Sequence, residues 1–307
     1  MKRLLAAVAL AGAALALPGG AIAEPLAAVA LAPDPLASTL VGPSGQVWQP
    51  DGKGGWTRGG PGGVAADVGG AVVAAQLVVV GKATPAYRLD PDGWRALRLG
   101  ERGKTVMGVG PHPAFAIGRN VFVWKAKAWV RVGTAPAGVV ALWASSDSKL
   151  YVAGADRVWR LAGKRLVEHA AASLARFGSG ATPLAITTDG ALYDVAAKAA
   201  APVTLAGERL APVVATTAPD GTAWVFARRA TGPVLAHRVR GAWQEVAAPA
   251  VADDDRPLAL AIHADGTVFL PLASGAVWLA RAGAWTQAPL TAPAEPPRTG
   301  PGPARMP

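Results

Sequence analysis

Short runs of β-branched and aromatic residues, split by Gly, Asp, Pro and Ser, come in groups of four along the chain. That pattern predicts an all-β fold, a seven-bladed β-propeller of four-stranded antiparallel blades. Two further observations carry the expectation. The groups return about every 38 residues, the period of a four-stranded meander. A tryptophan also returns near the same place in most of them. A single small sheet that is apolar on both faces cannot bury them alone, so such units pack face to face around an axis, with large indoles filling the space between neighbours.

The elements follow in order. Residues 1–23 read as a cleaved signal peptide: Met1-Lys2-Arg3 is basic, Leu4 to Leu17 is apolar, and Ala21-Ile22-Ala23 is a small-residue cleavage site. Fourteen apolar residues are short for a membrane anchor, and no later stretch is long enough to span. Residues 24–288 hold the repeats, in blades about 25–60, 61–100, 101–133, 134–170, 171–211, 212–250 and 251–288. The clearest unit runs from Leu258 through Asp265-Gly266, Val268–Leu272 and Val277–Arg281 to Trp285. Third runs carry Trp48, Tyr87, Trp124, Trp159 and Trp278, and fourth runs open on Trp56, Trp94, Trp129, Leu166, Leu210, Trp243 and Trp285. Both terminal units are expected to own all four of their strands. Residues 289–307, with seven prolines, read as a disordered tail.

Composition narrows the chemistry. The 307 residues carry a net charge of +10, only 16% are charged, and there is no cysteine. This excludes disulfides, thiolate metal sites and a cysteine nucleophile. Lysine and arginine are dispersed rather than gathered in a stripe, which argues against nucleic acid and for weak attraction to anionic envelope polymers.

Turn sequences such as Asp220-Gly-Thr-Ala-Trp224 and Asp265-Gly-Thr-Val-Phe269, with Val158-Trp159-Arg160 and Val277-Trp278-Leu279, resemble the periplasmic two-component-regulator propellers. The resemblance spans most of the region after residue 23 and implies a periplasmic sensor-like propeller. The Gly-Thr that normally follows the second strand in that family is missing here.

The turns Asp189-Gly190, Asp220-Gly221 and Asp265-Gly266 are assigned to tight hairpins after the innermost strands, with Asp34 and Asp147 in the corresponding places. On this phasing the innermost strands hold small residues except Trp143 and His263, a candidate stacking platform and hydrogen-bonding group for a ligand in the channel. The opposite face collects Glu168, His169, Asp253, Asp254 and Asp255, the one acid–imidazole set expected on a shared face and a candidate proton-transfer or ligand-binding group. In each case the plainer alternative is core filling or a solvated loop.

No nucleophile elbow, zinc-protease helix, P-loop or dinucleotide fingerprint is present. The expectation is therefore an exported, monomeric, non-catalytic propeller, periplasmic or extracellular. It has no cofactor, no metal and no transmembrane segment after cleavage, and it binds a protein or an anionic envelope polymer. The alternatives are a metal-assisted lyase or hydrolase in the channel, or a lectin using blade-edge tryptophans.

Overall fold

The computed structural model describes residues 24–32, 34–59, 68–73, 77–81, 86–90, 93–97 and 103–291. The predicted signal peptide and residues 292–307 lie outside them, as do Glu101 and Arg102. Among the described residues there is no α-helix, only one 3-10 turn at Pro35–Ala37.

Among the described residues the strands form seven sheets of four or five strands and one two-stranded ribbon, in a β-propeller arrangement. In chain order the innermost strands are Ala28–Ala30, Val68–Val73, Thr105–Met107, Ala141–Ala144, Leu174–Phe177, Ala211–Thr217 and Ala261–Ile262. Each is followed outward by antiparallel partners. In the fourth sheet these are Leu150–Ala153, Arg157–Ala162 and Arg165–Ala171.

Apolar clusters join consecutive sheets. Val41 and Val47 of the first sheet meet Val68 and Tyr87 of the second. Trp159 of the fourth lies against Val121 and Val123 of the third. Phe269 and Leu279 of the seventh meet Trp48 and Trp56 of the first. The indoles stand in these spaces: Trp94, Trp129, Trp159, Trp143 and Trp243 in successive ones, Trp278 and Trp285 in the next, and Trp48 with Trp56 where the ring closes. An indole buried at such a place removes 150–250 Å² from water, worth roughly 4–6 kcal/mol of burial before entropy is counted.

Three expectations need correction. First, the fifth unit is out of phase with its reading in the sequence. Its innermost strand is Leu174–Phe177, and Leu184–Thr187 is the second strand. Asp189-Gly190 therefore joins the second strand to the third, Leu192–Asp194, on the face opposite Asp147, Asp220 and Asp265. A hairpin turn has the same chemistry at either place, so the Asp-Gly pair could not reveal the phase.

Second, the links after the innermost strands are not all tight. In the first, third and fifth sheets they run through residues 31–38, 108–113 and 178–183. The last two share a spacing, Gly108-Val-Gly110-Pro-His-Pro113 and Gly178-Ser-Gly180-Ala-Thr-Pro183. Each loop reaches onto the next innermost strand: Val109 bridges Trp143, and Ser179-Gly180 runs parallel to Thr216-Thr217. Glycine is required there. Gly110 has φ +101° and a Cβ would stand 2.5 Å from the Ala144 carbonyl oxygen.

Third, the tail does not begin at residue 289. Leu290–Thr291 is a strand that pairs in parallel with Trp56–Gly59, the outermost strand of the first sheet. Leu290 is buried with Trp56, Leu40 and Leu279, so the last described strand is stitched to the first sheet.

Candidate functional site

The innermost strands enclose an axial cavity of about 370 Å³. It is lined by the stretches around Val29, Ala71, Met107, Ala141, Arg176, Ala215 and Ala259, one from each sheet or from the residues leading into it. Apart from the sixth sheet, where Ser179-Gly180 runs along Thr216-Thr217, the innermost strands have no further strand on their axial side among the described residues, so their backbone edges and neighbouring side chains form the wall. Among the described lining residues the titratable side chains are Lys104, Arg176 and Arg256.

These three arrive from separate parts of the chain. Arg176 sits in the fifth sheet's innermost strand, half-buried, and its Nη1 donates to the Val213 carbonyl of the sixth sheet at 3.1 Å. Burial, and then the charge of Arg256, pull its guanidinium below its ordinary value. Arg256 lies in the link into the seventh sheet, where its carbonyl accepts from Ala273 at 2.9 Å. Lys104 precedes the third sheet's innermost strand, its carbonyl held by the Gly118 amide at 2.8 Å. Lys104 and Arg256 are exposed. A concave wall with three like charges concentrates positive potential.

The residues expected to form a site fall elsewhere. Trp143 is fully buried between the fourth and fifth sheets with Phe177 and Tyr193, and its Nε1 donates to the Gly180 carbonyl at 3.2 Å. It is a wedge and presents no ring to the channel, because its side chain points into the space between the two sheets.

His263 does not line the cavity. It follows the strand Ala261–Ile262, and its Nδ1 lies 2.8 Å from Asp265 Oδ1 while its Nε2 lies 3.6 Å from Asp34 Oδ1. The Asp265 carboxyl is held far below the usual range, first by the Thr267 amide and then by the His263 imidazole. Asp34, expected in a tight turn, instead caps the 3-10 turn by accepting from the Leu36 amide at 2.9 Å.

Glu168 and His169 stand side by side in an outermost strand and point to different partners. Glu168 accepts from Arg157 Nη1 at 2.9 Å, whereas His169 Nε2 meets the Val195 carbonyl at 2.7 Å and its ring packs edge-on against Tyr151. Asp253 pairs with Arg228 at 3.3 Å, and Asp255 accepts from the Ser274 amide and hydroxyl at 3.1 and 2.5 Å. Asp254 is exposed beside them. These contacts hold a loop in shape, and they commit the two groups to separate neighbours instead of one acid–imidazole site. Among the described residues no group of three or more His, Asp or Glu side chains is placed to hold a metal ion.

Arg176 was missed because the sequence phasing put Leu184–Thr187 at the axis. The shared Gly-x-Gly-x-x-Pro spacing of residues 108–113 and 178–183 is the signal that aligns Leu174–Phe177 with Thr105–Met107 and exposes the error.

No protein-family model and no curated protein sequence matches the chain. Solved structures do. YCF48 from Cyanidioschyzon merolae superposes with a TM-score of 0.59 at 13% identity, covering 84% of this chain and 95% of that one. A catalytically inactive histidine-to-alanine variant of virginiamycin B lyase from Staphylococcus aureus, solved with quinupristin, superposes with a TM-score of 0.54 at 11% identity, covering 71% and 83%. At these identities the likeness is one of fold: both are β-propellers, and so is this chain.

Proposed function

We propose that this chain is an exported, non-catalytic β-propeller that acts as a ligand-binding module of the cell envelope, with the axial channel as its binding site. The observation that carries the reading is the cavity itself. It is preformed, about 370 Å³ in volume, and at the lower end of the range for small-molecule pockets. The charged groups it presents, two guanidiniums and an ammonium, are hydrogen-bond donors without an acceptor of their own. The apolar leader at Leu4–Leu17 and the Ala21-Ile22-Ala23 site support export, and the Asp-Gly turns and Val-Trp strand segments support kinship with two-component-regulator propellers.

Melting of the purified protein against a panel of neutral, anionic and cationic small molecules tests the binding role. A ligand at a hundred times its dissociation constant adds about 2.7 kcal/mol, so the melting temperature should rise by roughly 5–10 °C for some class. A flat response across all three classes overturns the reading. Export is tested by the N-terminal residue of the protein recovered from the envelope, expected to be Glu24.

A second reading, a metal-assisted lyase or hydrolase, has only the imidazole of His263 between Asp34 and Asp265 to point to, a set not arranged to hold a metal ion in this structure. Stoichiometric metal that disappears in His263→Ala would support it, and metal-free protein would remove it. The lectin reading loses support from Trp48, Trp56 and Trp159, which are buried between sheets.

A further inference from the structure

Two guanidiniums eighty residues apart in sequence meet in one cavity. Arg176 and Arg256 are close enough for the charge of one to act on the other, and Lys104 lines the same space. Among the described residues no carboxylate lies within 4 Å of any of the three. Of the acids that precede Arg256, Asp255 is engaged by Ser274 and Asp253 by Arg228, while Asp254 is exposed. Like charges gathered on a concave, partly desolvated wall repel one another, and an acidic ligand relieves that repulsion. Guanidiniums also offer a planar fork that matches two oxygens of a carboxylate or phosphate.

We propose that the axial channel binds a small organic anion, a molecule bearing a carboxylate or phosphate group, through Arg176, Arg256 and Lys104. This rests on the ligand-binding reading above and adds the charge class of the ligand. Arg176 is the fixed member, because its Nη1 is tethered to the Val213 carbonyl and the rest of its fork is left for the ligand. Arg256 and Lys104, both exposed, line the same cavity and are the other cationic groups offered to the ligand. The cavity volume limits the ligand to a small molecule, and the partly exposed Val29, Met107 and Val140 provide apolar wall for its uncharged part.

Isothermal titration of the full chain with citrate and with inorganic pyrophosphate is the test, the first probing carboxylate and the second phosphate recognition. The expected result is one site per chain for at least one of the two, weakened as ionic strength rises. Arg176→Gln and Arg256→Gln should each weaken binding tenfold or more, the usual effect of removing a charged hydrogen-bond donor. Arg176→Lys should weaken it less. If Arg176→Gln fails to fold, Arg256→Gln decides, since that side chain is exposed. Affinity unchanged in the arginine variants, or no binding of either anion, overturns the proposal. Neutral or cationic compounds that raise the melting temperature when the anions do not would leave the ligand-binding reading standing and remove only the charge assignment.

Discussion

Leu290→Ala is the perturbation that tests how the ring is fastened. Leu290 is 4% exposed and belongs to the cluster that also holds Leu26, Leu40, Trp48, Trp56 and Phe269. Its strand pairs in parallel with Trp56 and Thr57, while the Pro289 carbonyl accepts from the Trp56 amide at 3.0 Å. Truncating a buried leucine costs about 2–5 kcal/mol, the higher values where the surroundings cannot relax. Leu290 sits at an outer edge that can partly collapse, so about 2–3 kcal/mol is expected. At about 2–4 °C per kcal/mol for a chain of this size, the melting temperature should fall by roughly 4–12 °C. Calorimetry or urea denaturation measures it. A second variant, ending at Thr291, removes residues 292–307 and should melt with the wild type. A loss below about 0.5 kcal/mol in Leu290→Ala, the range of ordinary surface changes, would refute the claim that this strand closes the ring.

Other consequences are equally direct. Trp143→Ala removes a fully buried indole and its bond to the Gly180 carbonyl, and should destabilise by about 3–5 kcal/mol in denaturant titration. Gly110→Ala places a methyl group 2.5 Å from the Ala144 carbonyl oxygen at φ +101°, and a loss of about 2 kcal/mol in the same assay is expected. Asp265 titrates well below its unfolded value, so its contribution is complete above about pH 4 and is lost as pH falls through the folded value. Acid unfolding followed by circular dichroism should therefore flatten at its upper end in Asp265→Asn. Asp51, lowered by the Lys53 and Gly55 amides, should behave in the same direction.

The same molecule shows which features local chemistry writes into a chain and which it does not. The Asp-Gly turns at 220 and 265, the alternation of apolar residues and the evenly spaced indoles all announce a ring of small sheets, because each is imposed within one repeat. Gly108-x-Gly110, readable from the sequence only as loop chemistry, is part of a bridge between neighbouring innermost strands. Its role needs the adjacent sheet in place, since the glycine is demanded by a carbonyl 34 residues away.

Site residues were less legible. Trp143 and His263 stand out in the sequence as odd members of their strand, but oddness does not say which way a side chain points. Strand residues face the spaces between sheets, so Trp143 became core and His263 fell to a turn between two aspartates. Glu168 and Asp253 share a face only in the coarse sense that strand connectivity sorts them, and each found its own arginine.

What the sequence determined alone is the repeating unit: its period, its strand chemistry and the bulky residues that must lie between units, because these are short-range demands repeated along one chain. Only the tertiary structure decided what meets at the axis and how the ring is fastened. Arg176 and Arg256, or Leu290 and Trp56, are brought together by closure of the circle, and no local pattern in either segment encodes its partner.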